Sequence, residues 1–298
     1  MDIFKSTLKK VEELDSPQIY IDYLLALLEK KEQLGFLWGE FYLLLSQIFS
    51  RQKNLQEEYT LASNIELFMA ATDIIDDLMD KDNHRLNELS APIHFGITFA
   101  FDTLFSLTDM IKGEHVRNTF LKNVKESLYY QYFDMNNTIR FEQKEESYFN
   151  SSVKKSIFLV NAIEQLALRE EKLVIKDFAK HFATASQLHN DINDIMNDTS
   201  YDLINRKATL PIIKGIEAYK THRNRDTYKK INSYFFENNN SLYEDVRLLI
   251  INSGALEYSN YLAKLNYERA YNNLYTSYPN STKEIKNLSD YLKLRRNK

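Results

Sequence analysis

Cysteine is absent from the 298 residues, and glycine and proline are scarce, at 6 and 4. Without cysteine there is no disulfide, thiolate nucleophile or zinc–thiolate site, which fits a reducing compartment. Gly and Pro together make up about 3% of the chain where roughly 12% is usual, which argues against β-sandwiches, Gly-rich nucleotide loops and Pro-rich linkers. A basic excess is missing too. Lys+Arg 38 against Asp+Glu 42 gives a net charge of −4, so no global positive field exists to hold a nucleic acid. Long apolar runs are also lacking: Glu40 interrupts one and Asp102 another, leaving nothing near the roughly 18 uncharged residues of a membrane span. The N-terminal stretch mixes both signs of charge and has no apolar signal core. These absences predict a soluble, cytoplasmic protein with no transmembrane segment and no nucleic-acid partner.

What remains is enough for a substantial core, since 44% of the residues are hydrophobic and 13% aromatic. Apolar residues recur at helical spacing over 17–31, 36–50, 60–82, 91–111, 115–140, 148–169, 173–198, 207–221, 225–237, 241–253 and 256–276. Ser16 is the expected cap of the first of these, with Pro17 at its first helical position. Pro92 and Gly113 bracket another helix, Pro211 sits at a helix start, and Pro279 precedes the tail. The basic end from Lys293 to Lys298 reads as a solvated, frayed terminus. No repeat or linker marks a boundary. The expectation is one all-α domain spanning 1–298, a large bundle of about ten or more helices around a central cavity.

Two acidic clusters interrupt this texture. Asp73, Asp76, Asp77 and Asp80 fall at i, i+3, i+4 and i+7 and form one stripe on a helix that is otherwise apolar. Asn190, Asp194 and Asp198 lie at i, i+4 and i+8 with Asp191 beside them, while Leu188, Ile192 and Ile195 supply the apolar side. An acidic run on a helix is ordinarily a solvated face. That reading weakens when two such runs each sit inside an apolar helix, because like charges repel at i, i+4 and desolvated carboxylates cost more. A divalent cation removes the cost, and Mg²⁺ favours a few carboxylate oxygens completed by water and phosphate. Two acidic helices about 110 residues apart could face each other across a bundle and hold a metal-bridged diphosphate.

At these residues the chain resembles the trans-isoprenyl diphosphate synthase (polyprenyl synthetase) superfamily. The first aspartate-rich motif of that family, DDxxD, matches Asp76, Asp77 and Asp80, with Arg85 as the first of two following arginines. The second, QxxDDxxD, matches Gln187, Asn190, Asp191 and Asp194. KxTLP matches Lys207, Ala208, Thr209, Leu210 and Pro211 without a mismatch, GQxxD is approximated by Tyr130, Gln131 and Asp134, and the KT pair by Lys155 and Ser156. The resemblance covers about residues 35–215. It implies an isoprenoid synthase-type fold, two or three Mg²⁺ ions, an allylic prenyl diphosphate donor and a helix-packed homodimer. Asp76, Asp80, Asp191 and Asp194 would be metal ligands with Asp77 in support. Arg85, Lys155 and Lys207 would contact diphosphate oxygens, and Gln131, Gln187 and Asn190 would lie in the substrate site.

Departures from the pattern bear on the acceptor. Synthases that condense isopentenyl diphosphate carry GKxxRP upstream and a second arginine after the first motif. Here the upstream stretch, Leu34 to Phe41, holds no Lys or Arg, and the second arginine is Leu86. A second diphosphate would find no cationic cradle. The form of the first motif, continuing through Asp82, Asn83 and His84, looks like the ComQ-type enzymes that prenylate a tryptophan of a competence pheromone precursor peptide. An indole acceptor needs an apolar, aromatic cleft, and Phe36, Leu37, Trp38 and Phe41 stand where the cations would be, although each also suits ordinary core packing. Ala71 and Thr72 are small while Phe68, one turn further from the motif, could floor the prenyl pocket. The donor expected is roughly C10 to C20, farnesyl or geranyl diphosphate. The alternatives are a short-chain polyprenyl diphosphate synthase using isopentenyl diphosphate, a class I terpene cyclase, and a non-catalytic subunit of a heteromeric synthase.

Overall fold

The computed structural model describes residues 2–35, 37–49, 55–80, 84–168, 177–221 and 225–296. Sixteen α-helices are found among them: α1 (Ile3–Glu12), α2 (Gln18–Leu34), α3 (Leu37–Phe49), α4 (Leu55–Asp80), α5 (His84–Glu88), α6 (Ile93–Met110), α7 (Glu114–Met135), α8 (Glu145–Asn150), α9 (Ser152–Leu168), α10 (Phe178–Met196), α11 (Tyr201–Ile204), α12 (Leu210–Thr221), α13 (Arg225–Phe236), α14 (Tyr243–Ile251), α15 (Ala255–Ser277) and α16 (Thr282–Arg296). A 3-10 turn covers Asn240–Leu242, and the sole β-type contact among the described residues is an antiparallel bridge between Thr138 and Lys207. The protein is all-α, as its scarce glycine and proline require.

Several boundaries differ from those expected. α2 starts at Gln18, with Pro17 outside it as the N-cap at ψ 137° and no side-chain cap, so Ser16 does not cap the helix. The run 115–140 ends at Met135 because residues 137–139 turn extended to bond the segment at Lys207. For the same reason the run 207–221 starts only at Leu210. The run 148–169 is two helices, broken at Ser151, whose φ −125° and ψ −79° lie off the helix. The basic end is not a frayed tail through Arg296. It is the last turn of α16, which buries Ile285 and Leu288 completely. Residues 297 and 298 lie outside the described part.

Two compact units divide the chain. The first comprises Met1–Lys122, Ala162–Val174 and Tyr275–Lys298, and the second Asn123–Asn161 and Ile175–Leu274. In the first, α4 is the central helix: every residue from 61 to 71 is buried, because α1, α3 and α6 all pack on it. Gly39 permits the approach of α3, since a Cβ there would meet the Ala62 carbonyl oxygen at 2.8 Å. The buried Glu66 carboxylate fixes the start of α3 by accepting from the Trp38 and Gly39 amides at 2.7 and 2.8 Å and from Lys31 Nζ at 2.7 Å. The turn leading into α16 is fastened to α3 through Ser281 Oγ to the Ile48 carbonyl (3.0 Å) and a Tyr278–Phe49 ring contact at 5.0 Å. In the second unit, Tyr148, Leu188, Ile195, Leu203, Ile213 and Ile250 belong to one core, which places α8, α10, α11, α12 and α14 together.

Candidate active site

Within the first unit, the end of α4 carries the first acidic motif. Asp73 and Asp76 are half-buried and Asp77 is buried, so the predicted stripe straddles the edge of the core. Burial pushes the Asp73 carboxyl up, the charges of Asp76 and Glu66 add to this, and Arg85 and Lys31 oppose it. Asp77 is neutralised where it stands: Arg85 Nη1 donates to its Oδ1, and the Arg85 amide donates to Oδ2 at 3.0 Å. Arg85 also reaches the Asp73 carbonyl at 3.4 Å. In this state Arg85 serves Asp77, holding α5 against α4. The side chains of Asp80 and His84, and residues 81–83, lie outside the described part. Further down α4, Ala71 is buried, Thr72 bonds back to the Met69 carbonyl at 2.8 Å, and Phe68 meets the fully buried Phe120 at 5.9 Å between rings.

The upstream aromatics divide. Phe41 is a core residue at 2% exposure, against which half-buried Trp38 packs edge-on at 5.9 Å, while Leu37 is exposed. Phe36 lies outside the described residues. Leu86, at the second-arginine position, is 1% exposed.

Within the second unit, α7, α9, α10 and the segment 200–209 build a dense polar cluster. Asp191 lies one turn from Asp194 on the same flank of α10, and both act on Asp202, while Asn190 is turned away. Asp191 falls at i, i+3, i+7 with Leu188 and Ile195 on the core side of α10, and all three are buried, whereas Asn190 is exposed. Gln187 Nε2 donates to Asp191 Oδ1 at 2.8 Å while its carbonyl accepts from Ser156 Oγ at 2.7 Å, so Ser156 sets the amide and the amide sets the carboxylate. Asp191 Oδ2 and the Tyr148 hydroxyl are both buried without a partner in good hydrogen-bond geometry, and they face one another closely enough for Tyr148 to favour the Asp191 carboxylate by hydrogen bonding. Burial pushes the Asp191 carboxyl up to about 7, with Asp134 adding to the rise and Tyr148, Gln187 and Lys155 opposing it. Asp202 is likewise raised by burial and by Asp191 and Asp194.

Cations enter this cluster from two sides. Lys155 pairs with Asp134 at 3.0 Å. Burial opposes ionisation of Asp134, but Lys155, a Ser152 hydrogen bond and Lys207 outweigh it and hold the carboxyl low. Gln131, three residues before Asp134, is buried with it on α7. Lys207 lies 3.9 Å from Asp202. Asp194 is engaged in local structure: it accepts from Ser200 Oγ and from the Tyr201 and Asp202 amides at 3.1 Å each, anchoring the start of α11. Asp198 is exposed beyond the end of α10.

Three members of this cluster were not among the expected site residues. Asp134 was visible as the last residue of the partial GQxxD match. Asp202 lies in the short helix α11 outside any motif, and Tyr148 stands beside Phe149 in the polar stretch 142–152, and no sequence pattern separates either from surface or core.

The donor set suits a hard divalent cation: every acidic group is a carboxylate, and Asp191 presents a buried oxygen beside Asp202, both carboxyls that resist ionisation. No group of three or more His, Asp or Glu among the described residues is placed to hold a metal ion. A cation held here would therefore take the rest of its shell from water or phosphate.

The sequence profile described as polyprenyl synthetase matches residues 37–246. The chain belongs to the polyprenyl synthetase family. It is thereby a prenyltransferase. A tryptophan prenyltransferase ComQ of Bacillus spizizenii is 26% identical over 274 residues, covering 86% of this chain and 91% of that protein. A short chain isoprenyl diphosphate synthase of Methanothermobacter thermautotrophicus is 27% identical over 184 residues, covering 53% and 56%. Among solved structures, a polyprenyl synthase from Caulobacter crescentus, complexed with calcium and isoprenyl diphosphate, superposes with a TM-score of 0.79 at 16% identity, over 99% of this chain and 93% of that one. A heptaprenyl diphosphate synthase from Staphylococcus aureus gives 0.79 at 18% identity, over 99% and 96%. At these identities the structures attest the fold. No helix among the described residues is long and apolar enough to cross a membrane.

Proposed function

We propose that this prenyltransferase takes an allylic prenyl diphosphate of roughly C10 to C20 and transfers the prenyl group to a tryptophan of a short peptide, not to isopentenyl diphosphate. One observation carries the choice of acceptor. Where a second diphosphate would need cations, Leu86 is buried and the start of α3 presents amides already bonded to Glu66, itself paired with Lys31. The resemblance to ComQ over most of both chains supports the same reading.

In this reading Mg²⁺ stabilises charge on the departing diphosphate. Asp76 and Asp80 would serve as metal ligands in the first motif, and Asp191 in the second. Asp194 would contribute only by breaking its bonds at α11, which makes it the weakest of the proposed ligands. Lys155 and Lys207 would add positive charge at the diphosphate oxygens, Gln187 would orient Asp191, and Phe68 with Phe120 would floor the prenyl pocket. The catalytic unit would be a homodimer. Ile93, Ile97, Phe101 and Phe105, spaced four apart on α6, are 45–62% exposed and form an unpartnered apolar stripe that a second copy would cover.

The test is incubation with Mg²⁺, geranyl or farnesyl diphosphate, and either a Trp-containing peptide or isopentenyl diphosphate. Prenylated indole is expected, and efficient chain elongation would sink the proposal. The intact KxTLP match and the archaeal short-chain synthase favour that second reading.

A further inference from the structure

Lys207 is preceded by a residue in an unfavourable backbone state. Arg206 has φ 50°, a left-handed conformation that a branched or long side chain does not adopt without compensation. The compensation is visible. Arg206 Nε donates to the Tyr234 carbonyl at 3.1 Å, its Nη2 to Asn240 Oδ1 at 2.7 Å, and the guanidinium stacks 4.9 Å from the Tyr234 ring centre. On the backbone, the Arg206 carbonyl accepts from the Ile139 amide at 2.8 Å, and the Ala208 amide donates to the Asn137 carbonyl at 2.8 Å. Tyr234 Oη also donates to the Leu203 carbonyl at 2.9 Å. The segment is thus tied on one side to residues 137–139 and on the other to α13 and the turn after it. Strain of this kind persists only where the surroundings over-determine it.

We propose that Arg206 is a positioning residue for Lys207. Its guanidinium clamp on Tyr234 and Asn240 forces the backbone turn that presents the Lys207 side chain to the Asp134–Asp191–Asp202 cluster, and it thereby sets the affinity for the diphosphate group. This rests on the reading of Lys207 as a diphosphate contact. The clamp lies behind Lys207, on α13, and makes no contact of its own with the acidic cluster in any hydrogen bond it forms.

Separating positioning from stability takes two variants at one site. Arg206→Ala removes the clamp and leaves the strain. Arg206→Gly removes the clamp and relaxes the strain, since glycine tolerates positive φ. Inorganic diphosphate with Mg²⁺ is titrated calorimetrically into each, alongside Lys207→Met, and each is melted. Both Arg206 variants should bind diphosphate about tenfold more weakly, with Arg206→Gly melting above Arg206→Ala. Affinity that follows the melting temperature, or wild-type affinity in Arg206→Gly, overturns the proposal while leaving Lys207 in place. Unchanged affinity in Lys207→Met, or no binding to the unsubstituted protein, overturns the role of Lys207 and the proposal with it.

Discussion

Replacing Asp191 by Asn should stabilise the metal-free protein above neutral pH. Asp191 is 3% exposed and its carboxyl is pushed up to about 7 from its ordinary value of 3.8. An acid whose folded-state pKa is raised holds its proton longer in the native state than in the unfolded one. Stability is therefore greatest at acid pH and falls as pH rises from about 4 to about 7, through the interval between the two values. Each unit corresponds to about 1.4 kcal/mol, so the rise costs the folded state about 4 kcal/mol at pH 8. Asp202 is raised beside it, so the titration step belongs to the pair. Asn keeps an oxygen for Gln187 and cannot ionise.

In EDTA the variant and the parent should melt together near pH 4, with the variant above the parent at pH 8. For a chain of this length 4 kcal/mol is a difference of roughly 6 °C. Adding Mg²⁺ and diphosphate should raise the parent's transition at pH 8 and leave the variant's nearly unchanged, because the charge the cation would neutralise is gone. Thermal unfolding followed by circular dichroism measures all of this. A difference between the two proteins that is flat from pH 4 to 8, or a variant less stable than the parent at pH 8, would refute the argument by showing the carboxylate already satisfied.

Other substitutions test other parts. Asp194→Ala removes three hydrogen bonds at the start of α11 and should cost about 2 kcal/mol in urea unfolding even in the absence of metal; a neutral effect would mean that Asp194 is reserved for metal. Asp76→Ala, at a half-buried position, should abolish diphosphate release from the donor while leaving the melting temperature within a few degrees, as phosphate release and a melt will report. Phe68→Ala opens the contact with Phe120; it should cost about 3–4 kcal/mol and shift donor preference to a chain longer by one isoprenoid unit, measured by competition between farnesyl and geranylgeranyl diphosphates. Phe101→Asp with Phe105→Asp, on the exposed face of α6, should give a monomer in analytical ultracentrifugation, whereas an unchanged sedimentation coefficient would place any dimer contact elsewhere.

Helix content was readable because it depends on what is scarce and on period: ten Gly and Pro in 298 residues leave few ways to break a helix, and the apolar spacing marks most of the rest. What was not readable depends on long-range partners. The end of α7 at Met135 and the late start of α12 are imposed by the bridge between Thr138 and Lys207, two residues far apart in sequence and neither a turn former. α16 looked polar because its buried side is narrow, and it is held by Ile285 and Leu288. The motifs identified the acidic residues but not the division of labour among them. Spacing alone puts Asn190 with Asp191 and Asp194, yet the core needs Leu188 and Ile195 inside, and Asp191 follows them because it lies on their side of the helix while Asn190 is turned away.

The scarce glycines acquire a different meaning in the structure. Gly35, at φ 85°, ends α2, and Gly39 lies where α3 approaches the α4 backbone with no room for a Cβ. Both therefore answer to the backbone geometry around the start of α3, which any acceptor site built there would inherit. The cationic side chains do not answer to that geometry. Lys31 and Glu66 neutralise one another beneath the amides of Trp38 and Gly39, and Leu86 is sealed in the core. Backbone constraint can preserve the glycines whatever the acceptor, whereas nothing in the packing would preserve a lysine or an arginine once no second diphosphate had to be held. The retained glycines thus speak for the fold, and the missing cations speak for the acceptor.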